Sequence, residues 1–300
     1  MLDVDKVRRL QARVGVTADG SFGPNTLDAV LAALGVGEAA PPAPPAAATS
    51  GHDNEAFGFA MAALRGVFGG AEPVADVPAP APVAPSPASV AGGDDRYLPL
   101  FQRLASQNAN PETVKLMARA FAKHAPAFGQ DATKPRIAEF VAQTANETGG
   151  FRVFHENLNY SATRIPQVWP SRFGPGKANA AACAHNPEAL ANVVYQRPKE
   201  GNTQPGDGWR YRGRGALQLT FRNNYRHFGQ LLGVDLEGNP DLAADPAVSV
   251  LIALQFFKVG KVNAAIDRGD FREARRITNG ADLGLDEVAR LRAKAMAVLG

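Results

Sequence analysis

The sequence predicts an all-α (mainly helical) protein, with one large helical domain and one small helical module. Three observations carry that expectation. Apolar residues recur at helical spacing in segment after segment, as at Leu27, Val30, Leu31 and Leu34. Alternating β-branched runs of the strand type are scarce, and only near Trp209–Leu219 is there room for a small hairpin. Two Ala/Pro-rich tracts, residues 38–50 and 71–93, divide the chain, because such tracts cannot pack a core and behave as extended spacers. The 300 residues suit about two domains, and 45% of them are apolar, enough for a buried core.

Residues 1–37 read as two short helices. Val4, Val7, Leu10 and Val14 line the first; Pro24 suits the start of the second and Gly35 its end. Phe22, in the turn-rich TADGSFGP link, fills the gap between them. Residues 38–93 form a linker with a helical island at 51–70, whose Phe57, Met61, Leu64 and Phe68 share one face. That island extends the first module, packs on a neighbouring domain or makes weak membrane-surface contact; its low positive charge favours packing.

Residues 94–300 form the large domain. Asn110-Pro111 opens a helix carrying Val114, Met117, Ala118 and Phe121, and Thr133 caps the next. Ser161, Asp245-Pro246 and Asp286 are further start signals; Gly150, Gly233, Gly260 and Gly269 are stops. The longest apolar run, Ala247 to Phe257, is too short to span a bilayer and reads as a buried helix. Val288, Leu291, Ala295 and Val298 form a stripe that packs the last helix on the domain, with Arg290, Arg292 and Lys294 in solvent.

Several chemistries are disfavoured. A lone Cys183 excludes a disulfide framework, a Cys-rich zinc site and an iron–sulfur cluster. The five His are scattered with no H-E-x-x-H, and no G-x-S-x-G elbow or Walker loop is present. The glycines of Gly206–Gly215 lack the preceding strand that a phosphate cradle needs. No metal, cofactor or nucleic-acid partner is expected.

Two carboxylates stand out instead. Ile137, Phe140, Val141 and Thr144 share one helix face, and the same spacing lands on Glu147, just before Gly149-Gly150. Burial and the negative helix end both disfavour its charge, which suits a general acid. The alternative is an ion pair, with Arg152 nearby in sequence. Glu156, in FHENLNYS, lies among hydrogen-bonding neighbours in a segment without helical period, and reads as a solvated, ionised general base. Carboxylates with opposed environments are the signature of acid/base work on a glycosidic bond, and a separation of ~6.5–9.5 Å implies inversion.

The stretches FVAQTANETGGFRVFHENLNYS, GDGWRYRGRGALQLTFRNNY and RRITNG, in that order, resemble family 19 glycoside hydrolases, and more narrowly the chitinase-like bacteriophage endolysins. The likeness spans about residues 95–300. It implies a lysozyme-like, two-lobed helical catalytic domain with a sugar cleft. Glu147 falls on the family's general acid, Glu156 on the base, and Thr220 on the hydroxyl that holds the attacking water. Gln218, Asn224 and Asn279 fall on sugar-binding positions; Tyr160, Arg212 and Arg214 are expected to line or support the cleft, with loop bracing as the alternative for the two arginines. Asn146 stands where the family often has His, and Ala281 where it often has Gly. Residues 1–37, through Asp19, Gly20, Phe22, Gly23, Pro24 and Thr26, resemble the peptidoglycan-binding type 1 module.

The resulting expectation is a monomeric endolysin that cleaves the β-1,4 bond between N-acetylmuramic acid and N-acetylglucosamine in peptidoglycan. A chitinase, a lytic transglycosylase and a non-catalytic wall-binding phage component are the alternatives. The charged start MLDVDKVRRLQARVG does not read as a secretory signal peptide, so synthesis in the host cytoplasm and action in the periplasm after release are expected. The formal net charge of +3 is unevenly spread: residues 1–36 are neutral and 37–93 carry −4, leaving +7 on 94–300. A basic catalytic domain suits an anionic envelope.

Overall fold

A computed structural model describes residues 93–300. The expectations for residues 1–37, with Asp19 and Phe22, and for the island at 51–70 lie outside the described residues.

Helices α1 (Leu98–Leu104), α2 (Pro111–His124) and α3 (Lys134–Glu147) come first. Four short helices follow: α4 (Ile165–Val168), α5 (Ala180–Cys183), α6 (Pro187–Val194) and α7 (Asp207–Arg210). Then come α8 (Arg222–Leu232), α9 (Pro246–Val259), α10 (Val262–Asp267), α11 (Phe271–Asn279) and α12 (Leu285–Leu299). The predicted caps form. Asn110 accepts from the Glu112 N–H at 2.9 Å, Thr133 from the Arg136 N–H at 3.4 Å, and Asp245 from the Ala247 and Val248 N–H groups at 2.9 and 3.0 Å. Each satisfies N–H groups that a helix start leaves open. At Trp209–Leu219 the structure has a turn closed by an isolated antiparallel bridge between Arg214 and Leu219.

Apolar burial creates two cores. The larger gathers α1, α2, α3, α8 and α9–α12, and its Phe101, Phe121, Phe140 and Phe257 are fully buried. The smaller contains Leu158, Ile165, Trp169, Leu190, Val194, Tyr195 and Phe221. Helix α3 is buried along most of its length and packs against α12, α10 and α1. Helix α9 is the buried apolar helix expected, lying against α2.

Three details depart from expectation. The last helix starts at Leu285 after Gly284, so Asp286 sits inside its first turn, where an acid favours the positive helix end. Val288, Leu291 and Ala295 are buried, whereas Val298, in the final turn, is 41% exposed. Arg292 is not simply solvated: it bonds the buried Glu139 at 2.9 Å and lies 3.6 Å over the Phe271 ring.

The exit of α3 is tight. Gly150 has φ +74°, and a Cβ there would stand 2.5 Å from the Ser106 amide nitrogen. The Ser106 N–H in turn donates to Gly150 O at 3.1 Å. Gly150→Ala should therefore cost about 2–3 kcal/mol, from left-handed strain and the backbone clash. The midpoint of urea unfolding measures this, and an unchanged midpoint would show that the turn relaxes.

Candidate active site

The end of α3 carries the first polar cluster. Glu139, Gln143 and Glu147 recur every four residues, so they share one stripe. All three are buried, and so is Arg275 from α11. Arg275 Nη1 donates to Glu147 Oε1 at 2.6 Å and to Gln143 Oε1 at 2.7 Å, while its Nε bonds Leu283 O at 2.6 Å. Gln143 Nε2 donates to Glu139 Oε1 at 2.8 Å, and Arg292 closes the far end on Glu139 Oε2. Asn279, one turn beyond Arg275, is 1% exposed, and its Oδ1 has no hydrogen-bond partner.

This changes the reading of Glu147. Burial is as expected, but a guanidinium on the carboxylate opposes the desolvation that would hold it neutral. The partner is also not Arg152, whose Nε bonds Gly149 O at 3.3 Å. Nothing adjacent in sequence marks Arg275. Its signal is the α11 stripe Arg275, Thr278 and Asn279, polar residues at core-facing spacing.

Glu156 occupies the second cluster. The segment around it pairs with the 213–215 turn: the Glu156 N–H donates to Gly213 O at 3.0 Å, and the Gly213 N–H returns a bond to Glu156 Oε2 at 3.2 Å. The Tyr195 hydroxyl donates to Glu156 Oε1. Glu156 is therefore half-buried and hydrogen-bonded on both oxygens rather than simply solvated. Burial pushes its carboxyl from 4.5 up to about 7, against the pull of Tyr195, Gly213 and the Arg212 charge. Sequence reading missed Tyr195, because a tyrosine closing a short apolar helix reads as core.

Two predicted residues lie on the same turn, and a third, Asn224, joins them from the start of α8. Gln218 is 7% exposed with φ +53°. Thr220 Oγ1 donates to Gln218 O at 2.7 Å, and Asn224 Nδ2 donates to Thr220 O at 2.7 Å. Gly213 allows this closeness, since a Cβ there would meet Gln218 Oε1 at 2.8 Å and Glu156 Oε2 at 3.3 Å. Tyr160 stands edge-on to Trp169 at 5.0 Å, against the smaller core.

For Arg214 the structure shows the loop-bracing alternative. It is 3% exposed and bonds Asp241 Oδ1, Arg210 O and the Tyr225 hydroxyl at 2.9, 2.7 and 3.1 Å, so it braces the turn from behind. Arg212 lies 3.6 Å over the Trp209 ring and bonds Trp209 O. Among the described residues, no group of three or more His, Cys, Asp or Glu is placed to hold a metal ion.

The raised Glu156 value has a consequence for stability. Between pH 4.5 and about 7 the folded chain holds a proton that the unfolded chain releases, so stability falls as pH rises through that window. Glu156→Gln removes this penalty. The variant should gain up to about 3 kcal/mol over the natural chain above pH 7, and nothing below pH 4.5. Urea titrations at several pH values check it; a pH-independent difference would contradict the raised carboxyl value.

Comparison with known proteins finds relatives among glycoside hydrolases. The family model described as "Chitinase class I", of glycoside hydrolase family 19, matches residues 110–265. A glycosyl hydrolase family 19 domain-containing protein of Haemophilus influenzae is 36% identical over 159 residues, covering 53% of this chain and 77% of that protein. Endochitinase 1 of Theobroma cacao is 36% identical over 143 residues, covering 46% of this chain and 38% of that protein. The chain thus spans well under half of the plant relative. Among solved structures, chitinase C from Streptomyces griseus aligns at 21% identity and a TM-score of 0.45, covering 70% of this chain and 96% of that one. On the family match and the Haemophilus relative, the chain belongs to glycoside hydrolase family 19, as a chitinase-like enzyme that hydrolyses β-1,4-glycosidic bonds.

Proposed function

We propose that this hydrolase is a muramidase-type endolysin, cleaving peptidoglycan between N-acetylmuramic acid and N-acetylglucosamine by an inverting, two-carboxylate mechanism. The observation that carries the mechanism is the separate housing of Glu147 and Glu156: one on Arg275, the other between Tyr195 and Gly213. Glu147 protonates the leaving oxygen. Glu156 takes a proton from water, which attacks from the opposite face of the sugar. The Thr220 hydroxyl spends its proton on Gln218 O, so its lone pairs are left to accept from that water. Gln218, Asn224 and Asn279 are the proposed sugar contacts, with Tyr160 flanking them.

Support for a wall substrate comes from the likeness of residues 1–37 to a peptidoglycan-binding module and from the +7 charge of residues 94–300. Chitin is the second reading, favoured by the likeness to plant endochitinases. Mass spectrometry of digested sacculi separates the candidates. Saturated reducing N-acetylmuramic acid ends are expected; 1,6-anhydro ends would indicate a lytic transglycosylase, and release from chitin oligomers alone a chitinase. In the full chain, Phe22→Ala should weaken sacculus binding about tenfold while leaving turnover of soluble oligosaccharides unchanged. Equal binding would remove the wall-binding role of residues 1–37.

The electrostatics also favour a second assignment of roles. Glu147 sits on a guanidinium, and Glu156 is pushed up to about 7, which would make Glu156 the acid and Glu147 the base. Variants settle this. Replacing the acid should spare substrates with good leaving groups, and replacing the base should be rescued by azide. We expect the first behaviour in Glu147→Gln and the second in Glu156→Ala; the reverse pattern would exchange the roles. With Glu156 as base, kcat/KM should rise with pH through about 7 as its proton leaves.

A further inference from the structure

We propose that Tyr195 is a positioning residue for Glu156, fixing the rotation of its carboxylate and keeping it available as an anion. The inference rests on the assignment of Glu156 as base. Several features build the contact. The Tyr195 N–H donates to Ala191 O at 2.9 Å, which seats it at the end of α6. Asn202, itself fully buried, donates from Nδ2 to Tyr195 O at 2.8 Å and accepts from the Arg222 N–H at 2.9 Å. One side chain therefore ties the α6 end to the start of α8. The Tyr195 ring stands edge-on to Phe221 at 5.6 Å, and Phe221 takes a left-handed φ of +74° directly after Thr220. With backbone and ring both held, the hydroxyl is delivered to Glu156 Oε1.

The Glu156 carboxylate then has little rotational freedom. Oε1 takes the phenol and Oε2 takes the Gly213 N–H. A water must approach one of the remaining lone-pair directions, so its line of approach is fixed. The phenol cannot change sides. Burial and the neighbouring Glu156 charge hold the Tyr195 hydroxyl well above its ordinary value, so it remains a donor at every working pH. Other charged and titratable groups face the pair: Arg212 from the turn, Tyr160 from the loop after Glu156, and Arg197 from the segment beyond α6. Of these, Arg212 favours the Glu156 anion through its charge.

The test is Tyr195→Phe in the full chain, which keeps the ring and its contact with Phe221. The acid-side limb of kcat/KM should move to higher pH by about one unit, which is about a tenfold loss below that limb, with recovery above it. In parallel, 13C NMR titration of the Glu156 carboxyl should show the same displacement, independently of turnover. Superimposable pH profiles, or an equal loss at every pH with an unmoved carboxyl titration, would overturn the proposal. The two failures are distinguishable. If Glu156→Gln remains fully active, Glu156 is not the base, whatever Tyr195 does to its titration.

Discussion

The ion pair between Arg275 and Glu147 is the interaction on which the rest of the domain is organised. Neither side chain has any exposure, so neither charge is tolerable alone. Replacing one partner with an uncharged residue would leave the other stranded, a penalty comparable with a large part of a domain's net stability. The pair therefore requires α11 to lie against the end of α3, with its neighbours in place. Gln143 serves both charges, giving its amide to Glu139 and its carbonyl to Arg275. Arg292 completes the line from α12. Polar contacts of this kind add little net stability compared with apolar packing. What they supply here is register, since a slip of one residue along α3 would break every contact in the line.

The two carboxylates are supported in different ways, and this follows from where they lie. Glu147 belongs to a long helix inside the larger core, so its surroundings are side chains on neighbouring helices. Glu156 lies on an irregular segment, and its partners are a backbone amide and a phenol from the smaller core. Its placement thus depends on how the 213–220 turn meets the end of α6. Arg214, behind that turn, holds it through Asp241 and two carbonyls, and so serves the site without touching it.

Much of this was legible in the sequence, for reasons that particular residues make plain. Helix starts such as Asn110 and Asp245 are read from short-range chemistry that does not need the rest of the chain. The buried stripe ending at Glu147 follows from periodicity, and so does the packing of α12. Electrostatic surroundings were not legible, because they come from segments far away in the chain. Arg275 is 128 residues from Glu147, and Tyr195 is 39 from Glu156. Local context made Glu147 look neutral and Glu156 charged, and both impressions shifted once distant partners were in place. Which of the two roles weighed for Arg214 holds was not legible for the same reason, since its partner Asp241 is 27 residues on.

The position of Arg292 in the last helix carries an implication for biosynthesis. Helix α3 is made early in the domain, yet Glu139 finds its cation only 153 residues later. Contacts of such long range close late in folding, after intervening segments have condensed. A chain still missing α12 would leave Glu139 without that charge and would also uncover the face of α3 on which α12 packs. The electrostatic setting of the stripe that Glu139 shares with Gln143 and Glu147 is therefore complete only once α12 has docked on α3.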